Sequence, residues 1–485
     1  MNPMSSVPKH IAPARPFGGW AIQSAFALLA TITVALLADD PSFLIVTFIV
    51  ALVAMALARF EMFVYATVFL LPWYPLLDVR LPVRDVSLIL RLVLFAGVFV
   101  IRARRGASLR QWLWAGPLRK GIVILAAVAT ISLLTSSLPA NLLAYRSLAR
   151  LFSYLALFFG VVGWLETREQ VDRIVKLLLV STIGVALFGL YQSAADGYTD
   201  LYFRLYPTQE EEIPAWSGRI TSLLFHFNSL AGYLNLVIPY ALAFAVLAKS
   251  RVWRLVGMAC LSTAGAALYL TGSRGGLVAC SGILLVGLGC LVPRRTTLLR
   301  MLTATAMAAA VVVSLSWLPR VTTGREEVAA RVKQVDEFTV ETRMAIWGVA
   351  GSIFLAHPLL GIGYGNIPAV YGDYIPSDAP LHAHNLYLQY LAETGIVGFT
   401  ALMILIGAFL RGSLELIRHR DIHFRIVGIG AVGGLIGALL HGMVDYLFLG
   451  APQYAGLFWL VLALGVVALE ASRKGPAWAP RAESR

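Results

Sequence analysis

Residues 387–411 read YLQYLAETGIVGFTALMILIGAFLR, a mostly apolar run in which Glu393 is the single acidic side chain. About 20 apolar residues in a helix span the hydrocarbon core of a bilayer, so this run predicts a transmembrane helix. The chain is 59% hydrophobic and only 13% charged, with a mean hydropathy of +0.77, and similar runs recur along its length. Strands of a membrane barrel would be shorter and would alternate polar and apolar residues, so the pattern favours helices.

The apolar runs predict an all-α polytopic membrane protein with about 12–14 transmembrane helices. The first run follows Lys9 and Arg15 and lacks a small-residue cleavage site, so we expect it to remain as an anchor and not to be removed as a signal peptide. The predicted spans cover residues 20–37, 42–58, 62–76, 86–101, 121–136, 147–165, 173–192, 221–247, 253–271, 275–292, 299–317, 387–411, 424–445 and 451–472.

Basic residues gather in alternate loops between the predicted spans, and loops enriched in Lys and Arg face the cytoplasm. Because the tail 473–485 is also basic, we expect both termini in the cytoplasm. The net charge of +13 is interpreted as a topology signal and a contact with anionic lipid, not as a nucleic-acid surface. The basic loop residues are Arg102, Arg104, Arg105, Arg110, Arg119, Lys120, Lys249, Arg251, Arg254, Arg294, Arg295, Arg300, Arg411, Arg418, Arg420 and Arg425.

Two hydrophilic segments, 193–220 and the longer 319–386, fall on the opposite, periplasmic side of the predicted membrane. Connections of this length usually form lids or binding surfaces, so we expect the function to lie there. The chain is thereby divided into helices without a readable motif (1–192), a first periplasmic loop (193–220), further helices (221–318), a long loop or lid (319–386), C-terminal helices (387–472) and the tail 473–485.

The longer loop contains a predicted amphipathic helix over residues 341–354, which His357 and Pro358 end. A Gly-rich stretch, 361–366, follows it. This stretch weakly resembles a dinucleotide-binding fingerprint, but no strand precedes it and no acidic partner follows it, so nucleotide binding is rejected there. We expect a lid or a helix end that lies against the bilayer surface.

The sequence shows no spacing typical of a metal site. Cys260, Cys280 and Cys290 fall inside predicted spans and are expected to pack against other helices. His382 and His384 are separated by one residue, and the exterior aspartates Asp196 and Asp200, and Asp373 and Asp378, do not have the spacing of a Mg²⁺ or Mn²⁺ site. We therefore expect neither a metal ion nor another cofactor.

Two arginines, Arg219 and Arg274, break the expected charge bias because they lie near the outer membrane interface. A guanidinium there can bind a phosphate through two parallel hydrogen bonds, and Gly272, Gly275 and Gly276 would let a bulky diphosphate approach the backbone. The alternative is that each arginine reaches a lipid head group or pairs with an exposed carboxylate.

Residues 382–385, His-Ala-His-Asn, lie where a long hydrophilic stretch turns back into an apolar helix. Ionisable groups at such a boundary are costly to keep and are usually functional. An imidazole titrates near neutral pH and can accept a proton from a sugar hydroxyl, so His384 is a candidate general base.

Together these segments resemble the O-antigen ligase/polymerase family of WaaL/Wzy-like membrane glycosyltransferases, over about residues 215–410. Ser222 and Phe227 depart from the family's pattern, which often has glycine and proline there, so the local backbone around Arg219 is expected to be looser. The motifs that carry the resemblance are RITSLLFHFN at 219–228, TGSRGG at 271–276, Arg343 with Trp347, HNLYLQYLAETGIVG at 384–398 and HGMVD at 441–445.

The resemblance implies a multi-pass protein of the bacterial inner membrane with a periplasmic active site. Members transfer a glycan from an undecaprenyl-diphosphate carrier to an acceptor hydroxyl, with inversion and without a metal. In that scheme His384 activates or orients the acceptor, while Arg219 and Arg274 hold the diphosphate and stabilise its charge as it leaves. The expected substrate-binding residues are Arg343, Asn228, Asn385, His382 and Asp445.

Some of these roles have alternatives. Arg343 would either contact the diphosphate or position the lid, and His382 is expected to shape the loop. Asp445 would pair with an arginine or form a solvated helix end. Glu393 is expected to orient its helix or a lipid, because it lies several turns beyond His384.

The sequence does not identify the acceptor of the glycan. A repeat-unit polymerase is favoured by the many spans and the long lid, while a ligase onto lipid A-core or a protein O-glycosylating enzyme would use the same residues. A transporter or flippase would need paired interrupted helices in two halves, which the sequence does not show. A non-catalytic assembly factor is a further alternative. The expected partners are the lipid-linked donor, a glycan or lipid A-core acceptor, membrane lipid and other polysaccharide-assembly proteins.

Overall fold

The computed structural model describes residues 59–73, 86–139, 141–195, 219–224, 226–291, 340–374, 382–447 and 452–474, together with the single positions 52 and 55. Regular secondary structure in these residues is helical, and the protein is an all-α polytopic membrane protein, as the sequence predicted. The predicted spans 20–37 and 299–317, nearly all of 42–58 and most of the loop 193–220 lie outside the described residues.

Nine of the described helices, α4–α9 and α12–α14 in the numbering that follows, are long and apolar enough to cross a membrane. In chain order the helices are α1 (Phe60–Leu70), α2 (Val86–Arg104), α3 (Leu109–Trp114), α4 (Pro117–Leu134), α5 (Leu142–Trp164), α6 (Arg168–Ala194), α7 (Phe227–Leu247), α8 (Arg251–Leu270), α9 (Arg274–Leu291), α10 (Val340–Ala356), α11 (Ile367–Tyr374), α12 (Leu386–Ile417), α13 (Ile422–His441) and α14 (Pro452–Lys474).

Polar side chains cap the points at which several apolar runs become helices. The Asn141 carboxamide accepts the Leu143 N–H at the start of α5, and Thr167 with Gln170 forms a reciprocal capping box at the start of α6. These groups replace the hydrogen bonds that the first turn of a helix lacks, so helices start sharply at the membrane boundary.

Helix α7 lies at the centre of the bundle. Every residue from 229 to 244 is buried, and the helix packs against α8, α9, α13 and α14. Where α7 packs against α13, Gly430 faces the Tyr240 ring and Gly433 faces Pro239. Small residues let apolar helices come close enough for van der Waals packing, which drives association inside a membrane.

One end of the bundle is basic. The loops that join α2 to α4, α5 to α6, α7 to α8 and α12 to α13 meet there, and they carry the arginines that the sequence assigned to the cytoplasm. The ion pairs at this end are Arg105–Glu166, Arg168–Asp421, Arg473–Glu415 and Arg119–Glu470. The motif segments 219–228, 271–276 and 441–445 therefore lie at the opposite end of the same helices.

Helix α12 is broken at Gly395, where the sequence predicted one continuous span. Gly395 has φ 61° and ψ −166°, and its Cβ position is occupied by the carbonyl group of Leu359. After the break, the Ile396 N–H donates to the Pro358 carbonyl at 2.8 Å, and before it the Ala392 carbonyl accepts the Ile362 N–H at 2.9 Å. The segment 357–366, which includes the Gly-rich stretch, is thereby fixed along the break.

The predicted helix over 341–354 is present as α10, which ends before His357 and Pro358. Ile346, Ala350 and Ile353 are buried where α10 packs against α12. Met344 and Leu355 are exposed on α10, so apolar side chains also cover the side that faces away from α12. Such a surface suits contact with lipid.

Candidate active site

His384 and Asp445 meet at the end of the bundle opposite the basic loops. His384 lies just before α12 and Asp445 lies just after α13, and the His384 Nδ1 and Asp445 Oδ1 atoms are 3.5 Å apart. Asp445 is only 3% exposed, so it is not a solvated helix end. A buried carboxylate beside an imidazole can fix its orientation and stabilise its protonated form.

Asn228 connects Asp445 to the turn between α8 and α9. Its side-chain nitrogen donates to Asp445 Oδ2 at 2.7 Å, and its carbonyl oxygen accepts the Ser273 hydroxyl at 2.7 Å. The Tyr446 N–H donates to the other Asp445 oxygen, also at 2.7 Å. Asp445 is thus held on both oxygens, and it pairs with an amide and a histidine where the sequence suggested an arginine.

The two histidines of the 382–384 turn lie against each other, with their ring planes tilted by 60°. Their ring centroids are 4.1 Å apart, and the His384 N–H donates to His382 Nδ1 at 3.3 Å. Burial lowers the pKa of His382 to about 3, with the charge of His384 acting in the same direction and Asp445 opposing it. His382 is therefore a neutral acceptor that shapes the turn at neutral pH.

A third histidine, His226, also faces this cluster. It is the N-cap of α7, where its Nδ1 accepts the Asn228 N–H at 3.1 Å. Burial lowers its pKa to about 4, against the opposing effect of the Asp445 charge.

For Asp445 itself, burial alone would raise the pKa, but the hydrogen bond from His384 and the nearby histidines outweigh that effect and hold the pKa well below the usual range. The carboxylate is ionised at neutral pH.

Asn385 connects the start of α12 to the end of α13. Its carbonyl oxygen caps α12 by accepting the Tyr387 and Leu388 N–H groups at 3.0 Å each, and its nitrogen donates to the Met443 carbonyl at 2.9 Å. The Leu386 N–H donates to the Gly442 carbonyl at 2.7 Å. These contacts join the start of α12 to the end of α13 and so bring His384 to Asp445.

Arg219 lies beside the same cluster. Its guanidinium carbon stands 4.3 Å above the Phe227 ring, and a Cβ on Gly272 would come within 3.1 Å of its Nε. The Ile220 N–H donates to the Leu270 carbonyl, so the Arg219 loop is attached to the end of α8. The expected loose backbone is not found, because the arginine is packed between an aromatic ring and a glycine turn.

Arg274 is the first residue of α9 and is exposed at this end of the bundle. The expectation that Gly275 and Gly276 open a path for a diphosphate is wrong. A Cβ on Gly275 would meet Val444 and His441, and one on Gly276 would meet Ala231. These two glycines serve close helix packing, and the exposed side chain of Arg274 is what this turn offers to an anion.

Arg343 projects from α10 toward the same end. Its Nε is buried, without a hydrogen-bond partner among the residues that the structure describes, and the side chain is close enough to His441 to interact with it electrostatically. His441 in turn packs against Gly275. Arg343 is thus positioned near the turn that carries Arg274.

The cluster also has a feature that the sequence did not predict. One ligand atom each from His382, His384 and Asp445 lies within 4.8 Å of the other two, so the three side chains could hold a metal ion. Donor atoms around a tetrahedral zinc ion lie about 3.3 Å apart, so the set would have to contract. His226, Ser273 and His441 lie within the motifs quoted from the sequence, but the sequence assigned no role to any of them.

Residues 258–403 of the chain match the family model described as O-antigen ligase. The matched segment contains Arg274, Arg343 and His384, and it ends before Asp445. No curated protein matches the chain significantly. The match agrees with the resemblance carried by the motifs: residues 258–403 of this chain are similar to the O-antigen ligase family.

Proposed function

We propose that this protein is a glycosyltransferase that moves a glycan from undecaprenyl diphosphate to an acceptor hydroxyl at the periplasmic face of the bacterial inner membrane. Ligase- or polymerase-type function is supported by the match of residues 258–403 to the O-antigen ligase family model. The donor, the face and the stereochemistry are our proposal. The observation that carries it is the pair formed by the partly buried His384 and the buried Asp445 beside Arg219, at the bundle end away from the basic loops.

In the proposed reaction His384 is the general base. With its Nδ1–H directed at Asp445, the lone pair of Nε2 is available to the acceptor hydroxyl. As that hydroxyl oxygen forms a bond to the anomeric carbon, its proton passes to His384, and the bond between the anomeric carbon and the diphosphate oxygen breaks. The electron pair leaves with undecaprenyl diphosphate, and attack from the opposite side inverts the anomeric configuration.

The arginines stabilise the departing diphosphate. A lipid diphosphate is a good leaving group, so fixed cations can supply the electrostatic stabilisation that a metal supplies elsewhere. Arg219 is held rigidly against Phe227, and Arg274 is exposed beside it on the next turn. Arg343 on α10 supplies a third cation, since its Nε has no hydrogen-bond partner among the described residues.

The acceptor of the proposed reaction is a second glycan, which makes the enzyme a repeat-unit polymerase. A ligase that transfers the finished chain to lipid A-core would use the same chemistry. Deletion of the protein distinguishes the two, because single capped repeat units indicate a lost polymerase and full-length polymer left on its carrier indicates a lost ligase.

Reconstituted protein tests the reaction itself. Purified protein in lipid nanodiscs receives an undecaprenyl-diphosphate repeat unit as both donor and acceptor. We expect release of undecaprenyl diphosphate in equal amount to new glycosidic bonds, with inverted configuration by NMR. Movement of the donor across a vesicle membrane without any new glycosidic bond would instead indicate a transporter.

A further inference from the structure

Two residues other than glycine have a positive φ in the described part of the chain, and both lie in loops of the candidate site. They are Ser222, with φ 49°, and His384, with φ 47°. This left-handed region is costly for residues with a side chain and persists only where surrounding contacts enforce it. The contacts that enforce it here are supplied in both loops by a buried glutamine.

Gln389 holds the histidine loop. Its side-chain oxygen accepts the N–H of Ala383, the residue between the two histidines, at 2.6 Å. Its nitrogen donates to Glu393 Oε1 at 2.7 Å, and that oxygen also faces the Ile367 N–H at the start of α11, at 3.4 Å. Gln389 and Glu393 are each 2% exposed, so the connection runs through the interior from the histidine turn to the lid segment.

Gln192 holds the arginine loop. Its side-chain oxygen accepts the Thr221 N–H at 3.0 Å and the Ser222 N–H at 2.9 Å, while the Ser222 hydroxyl donates to the Val185 carbonyl at 2.7 Å. Gln192 is 3% exposed and belongs to α6, in the part of the chain where the sequence carries no readable motif.

We propose that Gln389 and Gln192 are positioning residues of the transferase, and that each uses its amide oxygen to hold one strained loop in its active conformation. Gln389 acts through Ala383 on His384, and Gln192 acts through Thr221 and Ser222 on Arg219. This inference rests on the proposed function. Because buried N–H groups without partners are costly, loss of either oxygen lets its loop leave the left-handed conformation.

The two glutamines have different expected kinetic signatures. Gln389→Met keeps the volume but removes the acceptor, so we expect kcat to fall about tenfold or more with the donor KM unchanged, since only the base is displaced. Gln192→Met is expected to raise the donor KM about tenfold or more, since the diphosphate contact is displaced. Gln111→Met, at an exposed glutamine of α3, is the matched control and should behave as wild type.

A double variant separates positioning from a general loss of structure. If Gln389 acts through His384, then Gln389→Met should cause no further loss of rate in a His384→Ala background. Hydrogen exchange of the peptide around 383 should accelerate in Gln389→Met, while exchange in α14 stays unchanged. Further loss in the double variant would overturn the proposal.

The remaining outcomes are also decisive. Wild-type kcat in folded Gln389→Met, with His384→Ala inactive, would overturn the positioning role and leave the proposed function standing. Full activity of His384→Ala would instead overturn the proposed function. If Gln389→Met does not fold, Gln192→Met decides, because an unchanged donor KM contradicts the proposal and a raised one supports it.

Discussion

A histidine can take a proton from an acceptor hydroxyl only if its ring is held with a nitrogen lone pair directed at that hydroxyl. Asp445 provides this for His384, and Asn228 in turn holds Asp445 from a position 217 residues earlier in the chain. The carboxylate keeps its charge at neutral pH because the neighbouring histidine lowers its pKa against the effect of burial. Orientation and charge are therefore fixed before a substrate arrives.

The arginines should not tolerate lysine. Arg219 stacks on Phe227 and packs against Gly272, so the looser surroundings that the sequence suggested for it are not found. A lysine keeps the charge but loses the planar fork and the stacking. We expect both Arg219→Lys and Arg274→Lys to weaken binding of an undecaprenyl-diphosphate glycan about tenfold or more, measured on purified protein. If binding and turnover are unchanged in both variants, the two arginines contact lipid head groups and not the diphosphate.

The His382–His384–Asp445 cluster could hold a metal ion, so the metal dependence of the reaction is a direct test of the mechanism. Our mechanism uses these groups for proton transfer and the arginines for charge stabilisation, so turnover in excess EDTA should equal turnover without it. The measurement is the initial transfer rate after EDTA treatment, with and without added Zn²⁺, Mg²⁺ or Mn²⁺. Activity that EDTA abolishes and one of these ions restores would assign the cluster to a catalytic metal.

At the scale of elements, the break in α12 depends on one residue. Gly395→Ala would place a methyl group against the Leu359 carbonyl in a backbone region reserved for glycine, so we expect a loss of about 1–3 kcal/mol in the free energy of unfolding. Gly407→Ala, on the same helix with open space around it, is the matched control and should not destabilise the protein. Equal thermal midpoints for the two variants would argue against a structural break at Gly395.

The buried histidines predict acid sensitivity. Their folded-state pKa values, about 4 for His226 and about 3 for His382, lie below the roughly 6.5 of an unfolded histidine. The unfolded chain therefore binds protons first, and the free energy of unfolding should decrease as pH falls from about 6.5 to 4. Thermal midpoints in detergent at pH 7.5 and 5 measure this, and His382→Gln should show a smaller decrease than wild type. An identical decrease in both would contradict the role of His382.

The sequence predicted the helices better than it predicted their interruption. Runs of apolar residues located the spans, and the helix over 341–354 was correctly expected before His357 and Pro358. The break in α12 was missed because Gly395 sits in a continuous apolar run, and a tolerated glycine and a left-handed glycine look alike in sequence. Its conformation depends on the carbonyl of Leu359, which only the folded chain brings near.

The candidate site was predicted as a set of residues but not as an arrangement. Polar and charged side chains at the ends of apolar runs identified His384, Arg219 and Arg274, and the family resemblance added Asn228. The contact between Asp445 and His384, the tight packing of Arg219 and the anchoring by Gln389 depend on which helices become neighbours. A single sequence does not encode those neighbours in any local pattern.

At the scale of the whole molecule, the helices without a readable motif support the site from the side. Gln192 of α6 holds the Arg219 loop, and the Ser132 hydroxyl of α4 contacts the Glu393 and Leu360 carbonyls at 2.6 and 2.7 Å. Ser136 similarly donates to the Ile362 carbonyl. The N-terminal part thus acts as a scaffold for loops that the C-terminal part supplies.

The two ends of the helix bundle also carry different groups. Arginine-rich loops and their ion pairs occupy one end, while the histidines, Asp445 and the outer arginines occupy the other. Basic loops usually face the cytoplasm, so this distribution supports the proposal of a site that opens away from the cytoplasm. Chemistry at that face is the central claim.

The rate of glycosidic bond formation by His384→Ala is the most direct test of the proposed chemistry at that face. Wild type and variant receive the same undecaprenyl-diphosphate glycan and acceptor, and donor binding is measured in parallel on the same preparations. Loss of a general base predicts a rate lower by about 10²–10⁴-fold with donor binding nearly intact. A properly inserted His384→Ala protein that forms bonds at a near-normal rate would contradict the account.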